Sequence, residues 1–138
     1  MSDTMSAASG RTIMVVDDVE DIRSLLHLWL EKHGYRVVEA GSGPEAVETA
    51  ERERPDLILM DVSMPGGDGL NATVQIRKHA QLSDVPVVVI SANGTEYYRD
   101  AALTAGCNEY LVKPIDPVQL ETIMSRLLSK SRSEPPRH

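Results

Sequence analysis

The sequence predicts an α/β fold, a doubly wound five-stranded parallel sheet with helices on both faces, and three observations support it. Apolar segments of strand length alternate along the chain with longer segments of helical periodicity. The most apolar strand segments do not alternate with polar residues, as expected for strands that are covered on both faces. Five such units, each of about twenty-odd residues, favour right-handed crossovers between parallel strands. We therefore expect a (βα)5 domain with the strand order 2-1-3-4-5.

The first two units carry clear strand and helix signals. Strand one is the apolar segment 13–16, and strand two covers residues 36–40. Apolar side chains at helical spacing predict an amphipathic helix between them: Ile22, Leu25, Leu26 and Trp29. Gly34 follows as a stop signal. Gly43-Pro44 then provides the start of a second helix, which ends before Pro55.

Units three and four repeat this organisation. Strand three is the apolar segment 57–61, and the loop of residues 64–69 after it is rich in glycine. A helix follows this loop. The largely β-branched segment 85–90 predicts strand four, and residues 96–105 predict a helix that Gly106 ends.

The last unit sets the end of the domain. Residues 109–112 predict strand five, and Asp116 provides an N-cap for the final helix. The buried stripe of this helix consists of apolar residues at helical spacing: Leu120, Ile123, Met124 and Leu127. The domain therefore spans residues 12–128. Residues 1–11 and 129–138 lack apolar periodicity, so we expect a disordered N-terminal arm and a flexible C-terminal tail.

Composition excludes several classes of function. The chain of 138 residues carries a formal net charge of -7, whereas nucleic acid and anionic membranes require clustered Lys and Arg. Cys107 is the only cysteine, so neither a disulfide framework nor a cysteine-based metal site is expected. The four histidines have no partners at ligand spacing and are assigned to the surface. No segment resembles a signal peptide or a membrane span, and we expect a cytoplasmic protein without nucleic-acid or membrane partners.

Polar residues stand where four of the predicted strands end. Asp17 and Asp18 follow strand one, and Asp61 ends strand three. Ser91 follows strand four, and Lys113 follows strand five. The carboxyl ends of parallel strands share one edge of a sheet, and the switch point of this strand order lies between strands one and three. Each acid alone would be interpreted as a turn residue, but their concurrence with a hydroxyl and a lysine favours one shared site.

The chemistry of such a site points to phosphate. Three carboxylates at one edge repel each other unless a cation compensates them, and oxygen ligands suit a partly hydrated Mg²⁺ and not zinc. A carboxylate can attack phosphorus and form an aspartyl phosphate, and Asp61 is the candidate because it stands alone at the centre. Lys113 can hold a phosphoryl oxygen or pair with Asp61 in the absence of phosphate. Ser91 can donate a hydrogen bond to another oxygen.

These residues resemble the response-regulator receiver domain, the phosphoacceptor module of two-component signalling, in its single-domain, chemotaxis-regulator-like form. The similarity runs from about Thr12 to Leu128 and covers all five units. It rests on four motifs: Asp17-Asp18, the stretch Asp61-Val62-Ser63-Met64-Pro65 with Asp68-Gly69 after it, Ser91-Ala92, and Lys113-Pro114. The family has a flavodoxin-like fold. Gly67 departs from the family, which usually has a larger apolar residue there, so a looser loop is expected.

The resemblance implies a role for each residue of the acidic site. Asp61 would be phosphorylated in a reaction that depends on Mg²⁺. Asp18 would bind the ion directly and Asp17 largely through water, and the backbone carbonyl of Ser63 would complete the metal site. Lys113 would contact the phosphoryl group, and its peptide bond to Pro114 would be cis.

The resemblance also implies a switch and its partners. A sensor histidine kinase or a histidine phosphotransfer protein would donate the phosphoryl group. Ser91, which stands in place of the commoner Thr, would move toward the phosphate, and Tyr110 would turn inward. The alternative is that Tyr110 is an exposed tyrosine with no switching role. A downstream protein would bind the face of the fourth helix, fifth strand and fifth helix. The chain would be a signalling receiver and not an enzyme, although it could assist its own phosphorylation and dephosphorylation.

Three alternatives stay open. The chain could be a receiver cut from a larger regulator or hybrid kinase, with its tail as the start of a linker, although no output domain fits after the last helix. A magnesium-dependent phosphatase could use Asp61 as its nucleophile, but the second acid that it needs two residues later is here Ser63. A flavin-binding module of similar topology would need a phosphate-binding loop where Asp17 and Asp18 would repel the cofactor.

Overall fold

The computed structural model describes residues 10–63 and 68–132, within which five strands and five helices alternate. The strands are β1 (Thr12–Val16), β2 (Arg36–Ala40), β3 (Leu57–Asp61), β4 (Val87–Ser91) and β5 (Glu109–Val112). The helices are α1 (Glu20–Lys32), α2 (Gly43–Glu53), α3 (Asp68–Lys78), α4 (Glu96–Ala105) and α5 (Pro117–Arg132), with one 3-10 turn at Ala80–Leu82. All strand pairs are parallel, in the order β2-β1-β3-β4-β5. The predicted fold class and strand order are confirmed.

The core lies on both faces of the sheet because successive strand residues point in opposite directions. On one face, Met14, Ile58 and Val89 pack with small and apolar side chains of α2, α3 and α4. On the other face, Leu59 and Val88 pack with α1 and α5. Every residue of β1, β3 and β4 is buried, which explains the nearly unbroken apolar sequences of these strands.

Local signals in the sequence mark both ends of α4 and the start of α5. The Thr95 hydroxyl accepts the backbone N–H of Tyr98 and caps α4, and Gly106 ends this helix with a φ of +114°. Glycine adopts this left-handed conformation without the strain that a side chain would bring. Asp116 accepts the backbone N–H of Val118 at 3.0 Å and caps α5, as predicted. None of the helices in the described part of the chain has the length and apolar composition that crossing a membrane requires.

The apolar stripe of α1 is less buried than its periodicity predicts. Leu25 is 68% exposed and Ile22 is 43% exposed, while Leu26 and Trp29 pack partly against the core. Leu30, which the predicted stripe does not include, is fully buried. Ile22 and Leu25 line a groove between α1 and the start of α5. Helical spacing identifies an apolar face but does not tell whether a sheet or the edge of another helix lies opposite.

Two boundaries of the domain differ from the prediction. Helix α5 continues to Arg132 and not only to Leu128, because no proline or glycine interrupts residues 129–132. Arg11, which the sequence assigns to the N-terminal arm, is buried and donates a hydrogen bond from Nη2 to the carbonyl of Leu128 at 3.1 Å. The predictions for residues 1–9 and 133–138 lie outside the described residues.

Candidate functional site

Three carboxylates meet at the edge of the sheet where the strand order reverses. Strand β1 pairs with both β2 and β3, and Asp17 and Asp61 stand at the carboxyl ends of β1 and β3. Carboxylate oxygens of Asp17, Asp18 and Asp61 all lie within 4.8 Å of one another. Asp17 and Asp61 are each only 4% exposed, whereas Asp18 faces solvent. The three acids therefore converge where the sequence places them.

Asp61 is held by two hydrogen bonds in its buried position. The Lys113 ammonium donates to Asp61 Oδ2 at 3.0 Å, and the backbone N–H of Ser63 donates to Oδ1 at 2.7 Å. Lys113 follows β5, so its side chain reaches across the end of β4, and the Lys113-Pro114 peptide bond is cis. Lys113 thus pairs with Asp61, which is one of the two contacts expected for it from the sequence.

Asp17 occupies an unfavourable environment for a charged carboxylate. Its pKa is raised from 3.8 to about 6, mainly by burial and to a smaller extent by the neighbouring Asp61. The backbone N–H of Val19, which donates to Asp17 Oδ1 at 2.9 Å, and the charge of Lys113 both lower the pKa. Because burial outweighs these favourable contacts, a cation beside Asp17 would relieve the cost of its charge.

Ser91 and Tyr110 are joined through Asn93. Ser91 is buried at the end of β4, and its Oγ accepts the backbone N–H of Asn93 at 2.9 Å. The Tyr110 hydroxyl donates to the carbonyl of Asn93, and the Arg99 guanidinium lies 5.1 Å from the centre of the tyrosine ring. Tyr110 is only 5% exposed, so the alternative of an exposed tyrosine is wrong. Its role in switching stays a prediction.

The loops after β3 and β4 are connected beside Asp61. Ser63 Oγ accepts the backbone N–H of Ala92 at 3.2 Å. The Ser63 carbonyl, which the resemblance assigns to the metal site, belongs to the same loop. The predicted features of Met64-Pro65 and Gly67 lie outside the described residues. Among the residues that are described, the β3 and β4 loops thus have a direct link next to the acids.

A model of the response regulator receiver domain matches residues 13–125 of this chain. The chain belongs to this family. Protein PilH of Pseudomonas aeruginosa is 36% identical over 117 residues, which are 85% of this receiver chain and 97% of PilH. The alkaline phosphatase synthesis transcriptional regulatory protein PhoP of Bacillus subtilis is 35% identical over 127 residues, which are 92% of this chain and 52% of PhoP. The chain thus spans about half the length of several curated relatives that it matches.

Solved receiver structures share the fold. The receiver domain of a sensor histidine kinase from Pseudomonas aeruginosa is 36% identical with a TM-score of 0.80, and the match covers 88% of this chain and 99% of that domain. That structure has a magnesium ion coordinated in its active site cleft. A chemotaxis protein from Vibrio cholerae is 28% identical with a TM-score of 0.80, over 85% of this chain and 98% of that protein. Both matches extend over nearly the whole receiver fold described above.

Replacing Asp17 with asparagine is expected to stabilise the metal-free receiver domain at neutral pH. The folded domain binds the Asp17 proton more tightly than the unfolded chain, so stability is lost as pH rises from 3.8 to about 6. The neutral amide, which can still accept the Val19 N–H, removes this cost, and we expect a gain of about 1–3 kcal/mol in the free energy of unfolding. Denaturation by urea in the presence of a chelator measures the gain. Equal stability of Asp17→Asn and wild type at about pH 7 would contradict the burial argument.

A polar network lies behind the acids and has no clear signature in the sequence. Arg23 Nε donates to Glu39 Oε1 at 2.7 Å, and Arg23 Nη1 donates to the backbone carbonyl of Asp17 at 2.7 Å. His27 hydrogen-bonds Glu39 through Nδ1, and its Nε2 lies 3.1 Å from Glu31 Oε2. His27 is therefore partly buried between two glutamates, whereas the sequence assigns it to the surface without a partner at metal-ligand spacing. Only the four-residue spacing of His27 and Glu31 on α1 is a readable signal.

The stability of the receiver domain should fall as His27 loses its proton. Burial opposes the charged form and lowers the pKa of His27, but the hydrogen bonds and charges of Glu39 and Glu31 outweigh burial and raise the pKa above 6.5. A raised pKa in the folded state means that the stabilisation is fully present below pH 6.5 and is lost as pH rises through the folded value. His27→Gln should remove this part of the pH dependence. Thermal unfolding of both proteins across this pH range provides the measurement, and parallel pH profiles would exclude the contribution.

Proposed function

We propose that this chain is a phosphoacceptor of a two-component system or phosphorelay, which takes a phosphoryl group onto Asp61. The observation that supports this most directly is the position of Asp61, which is buried beside two other acids with its Oδ2 3.0 Å from Lys113 Nζ. The donor is the phosphohistidine of a sensor kinase or a histidine phosphotransfer protein. An Asp61 oxygen forms a bond to phosphorus while the bond from phosphorus to the imidazole nitrogen breaks. The imidazole keeps the electron pair of the broken bond and takes up a proton.

The donor set of the site fits a magnesium ion. The three carboxylates offer hard oxygen ligands within a small volume, and the solvent-exposed side of Asp18 leaves room for retained waters. We assign the direct contact to Asp18 and a largely water-mediated contact to Asp17. Asp61 and the Ser63 carbonyl would complete the protein ligands. When bound, the ion would neutralise the acids and the charge of the phosphoryl oxygens, and the magnesium-containing receiver domain described above supports this choice.

Lys113 and Ser91 would bind the phosphoryl group from two sides. The Lys113 ammonium neutralises Asp61 before the reaction and would then pair with a phosphoryl oxygen. Ser91 Oγ would donate to a second oxygen and move toward it. This movement would displace Asn93, whose N–H the Ser91 oxygen accepts and whose carbonyl accepts the Tyr110 hydroxyl. Phosphorylation of Asp61 would thereby change the structure of the face formed by α4 and β5.

A downstream protein would bind the face of α4, β5 and α5. On this face Tyr97 is 78% exposed, Tyr98 is 40% exposed and Val118 is 72% exposed, and Glu109 on β5 pairs with Arg126 on α5. Aromatic and apolar side chains of this kind are enriched where proteins bind each other. The partner would distinguish the two states through the altered positions of these residues.

The proposed role is that of a receiver and not of an enzyme that turns over small phosphate esters. A phosphatase with Asp61 as its nucleophile needs an acid two residues later to assist the second step. Ser63 occupies that position, and its hydroxyl accepts the Ala92 N–H. The aspartyl phosphate would then be a signalling state, whose formation and loss the metal site and Lys113 could still assist.

Incubation with acetyl phosphate tests the proposal. In the presence of Mg²⁺, intact mass should show one phosphoryl group per chain, because the metal compensates the charge that an anionic donor brings to three acids. An excess of chelator should abolish incorporation. Equal incorporation with and without chelator would contradict the role of the metal. Steady release of phosphate without accumulation of phosphoprotein would favour the phosphatase alternative.

A further inference from the structure

The backbone carbonyl of Asp17, in the loop between β1 and α1, accepts a hydrogen bond from a side chain. This carbonyl belongs to the peptide group that joins Asp17 to Asp18, and Arg23 Nη1 donates to it at 2.7 Å. A peptide group is planar, so the direction of its carbonyl sets the orientation of both neighbouring Cα atoms. The hydrogen bond from Arg23 therefore restrains the backbone of both Asp17 and Asp18. It does so from the backbone side, without touching either carboxylate.

Arg23 is itself held in place from the other side. Its Nε donates to Glu39 Oε1 at 2.7 Å, and Glu39 lies on β2, paired with Val15 of β1. The second oxygen of Glu39 bonds to His27. The Arg23 side chain is only 18% exposed, and a Cβ at Gly41 would lie 3.3 Å from its Nη1. The planar guanidinium thus bridges Glu39 on β2 and the carbonyl of Asp17. The missing side chain of Gly41 leaves room for it.

We propose that Arg23 is a positioning residue for the binding of Mg²⁺, because it fixes the peptide group between the two acids of the β1 to α1 loop. The inference rests on the proposed function in so far as it takes Asp17 and Asp18 to be metal ligands. Without the guanidinium, the Asp17 carbonyl would lose its partner and the two carboxylates would have to be ordered when the ion binds. Outer partners that orient metal ligands commonly contribute about ten- to hundredfold to affinity.

The alternative is that Arg23 only joins α1 to β2 and stabilises the fold. Arg36 on β2 provides a matched control. Like Arg23 on α1 it pairs with a glutamate, here Glu53 at 3.6 Å, but its side chain is 64% exposed. A purely structural ion pair would affect unfolding and leave the affinity of the folded domain for Mg²⁺ unchanged. The two roles therefore separate in a metal titration.

Calorimetric titration of the full chain with Mg²⁺ alone tests the inference. Arg23→Ala should weaken Mg²⁺ binding by about tenfold, and Arg36→Ala should bind like wild type. Arg23→Lys should give an intermediate affinity, since an ammonium can reach Glu39 or the carbonyl but lacks the fork that bonds both. Equal affinities of folded Arg23→Ala and wild type would overturn the inference. If wild type itself bound no Mg²⁺, the proposed function would fail instead.

A second variant covers the case in which Arg23→Ala does not fold. Glu39→Ala keeps the guanidinium but removes the carboxylate that holds it, so Mg²⁺ binding should be weaker than in Arg36→Ala. Circular dichroism at the temperature of the titration establishes that each variant is folded. Equal Mg²⁺ affinities of Glu39→Ala and Arg36→Ala would overturn the positioning role.

Discussion

The Asp61→Asn variant is expected to accept no phosphoryl group from acetyl phosphate, even at saturating Mg²⁺. An amide lacks the anionic oxygen that attacks phosphorus, and the side chain at this position is the one that Lys113 contacts. The change conserves shape, and the Ser63 N–H can still donate to the amide oxygen. The effect is therefore expected on chemistry and not on folding. Intact mass after incubation measures incorporation directly.

A matched carboxylate at the other end of the same strand controls for this change. Asp56 immediately precedes β3, and its Oδ2 accepts the backbone N–H of Thr12 at 2.7 Å. Asp56→Asn should be phosphorylated like wild type because the residue lies at the amino end of the strand, away from the acidic edge. Incorporation into Asp61→Asn at the level of Asp56→Asn would exclude Asp61 as the acceptor.

The Ser91→Ala variant is expected to keep phosphorylation of Asp61 but to lose most of the response at α4, β5 and α5. The effect of the phosphoryl group would be transmitted by Ser91 to Asn93 and Tyr110, because hydrogen bonds link these three residues. A hydrogen bond to a charged group contributes roughly 1.5–3 kcal/mol, which shifts a two-state population about ten- to a hundredfold. A ligand moves such an equilibrium only by its differential affinity for the two states.

Hydrogen exchange with and without the phosphate mimic beryllofluoride measures this response. In wild type, residues 91–120 should change protection on addition of the mimic, and in Ser91→Ala the change should be largely absent. Ser24, an exposed serine on α1, offers a control, and Ser24→Ala should respond like wild type. Identical responses of Ser91→Ala and wild type would show that the signal reaches this face by another route.

Much of the fold could be predicted because its signals are local. The buried strands carry nearly unbroken apolar sequences, and Gly106 and Asp116 mark helix boundaries through their own backbone and side-chain chemistry. The acids could be placed together because the carboxyl ends of parallel strands lie at the same edge of the sheet. A polar residue that directly follows a predicted strand can therefore be assigned to that edge. Asp61 and its contact with Lys113 followed from that rule, although 52 residues separate them.

The parts that could not be predicted depend on side chains that meet without a repeating pattern. Arg23 and Glu39 are 16 residues apart on a helix and a strand, and nothing in their spacing indicates the bond between them. Asn93 joins Ser91 to Tyr110 through its backbone, which any residue type could provide. The exposure of Leu25 depends on the position of the start of α5 relative to α1. The periodicity of α1 alone does not predict that position.

Chemical mapping of the phosphorylated residue tests the proposed function most directly. Wild-type protein is incubated with Mg²⁺ and acetyl phosphate and reduced with borohydride, which converts an aspartyl phosphate to homoserine, and its peptides are sequenced by mass spectrometry. The predicted result is homoserine at Asp61 alone, in a reaction that the chelator prevents. Modification of Asp17 or Asp18 with Asp61 intact, or phosphate found only on a histidine, would contradict Asp61 as the phosphoacceptor.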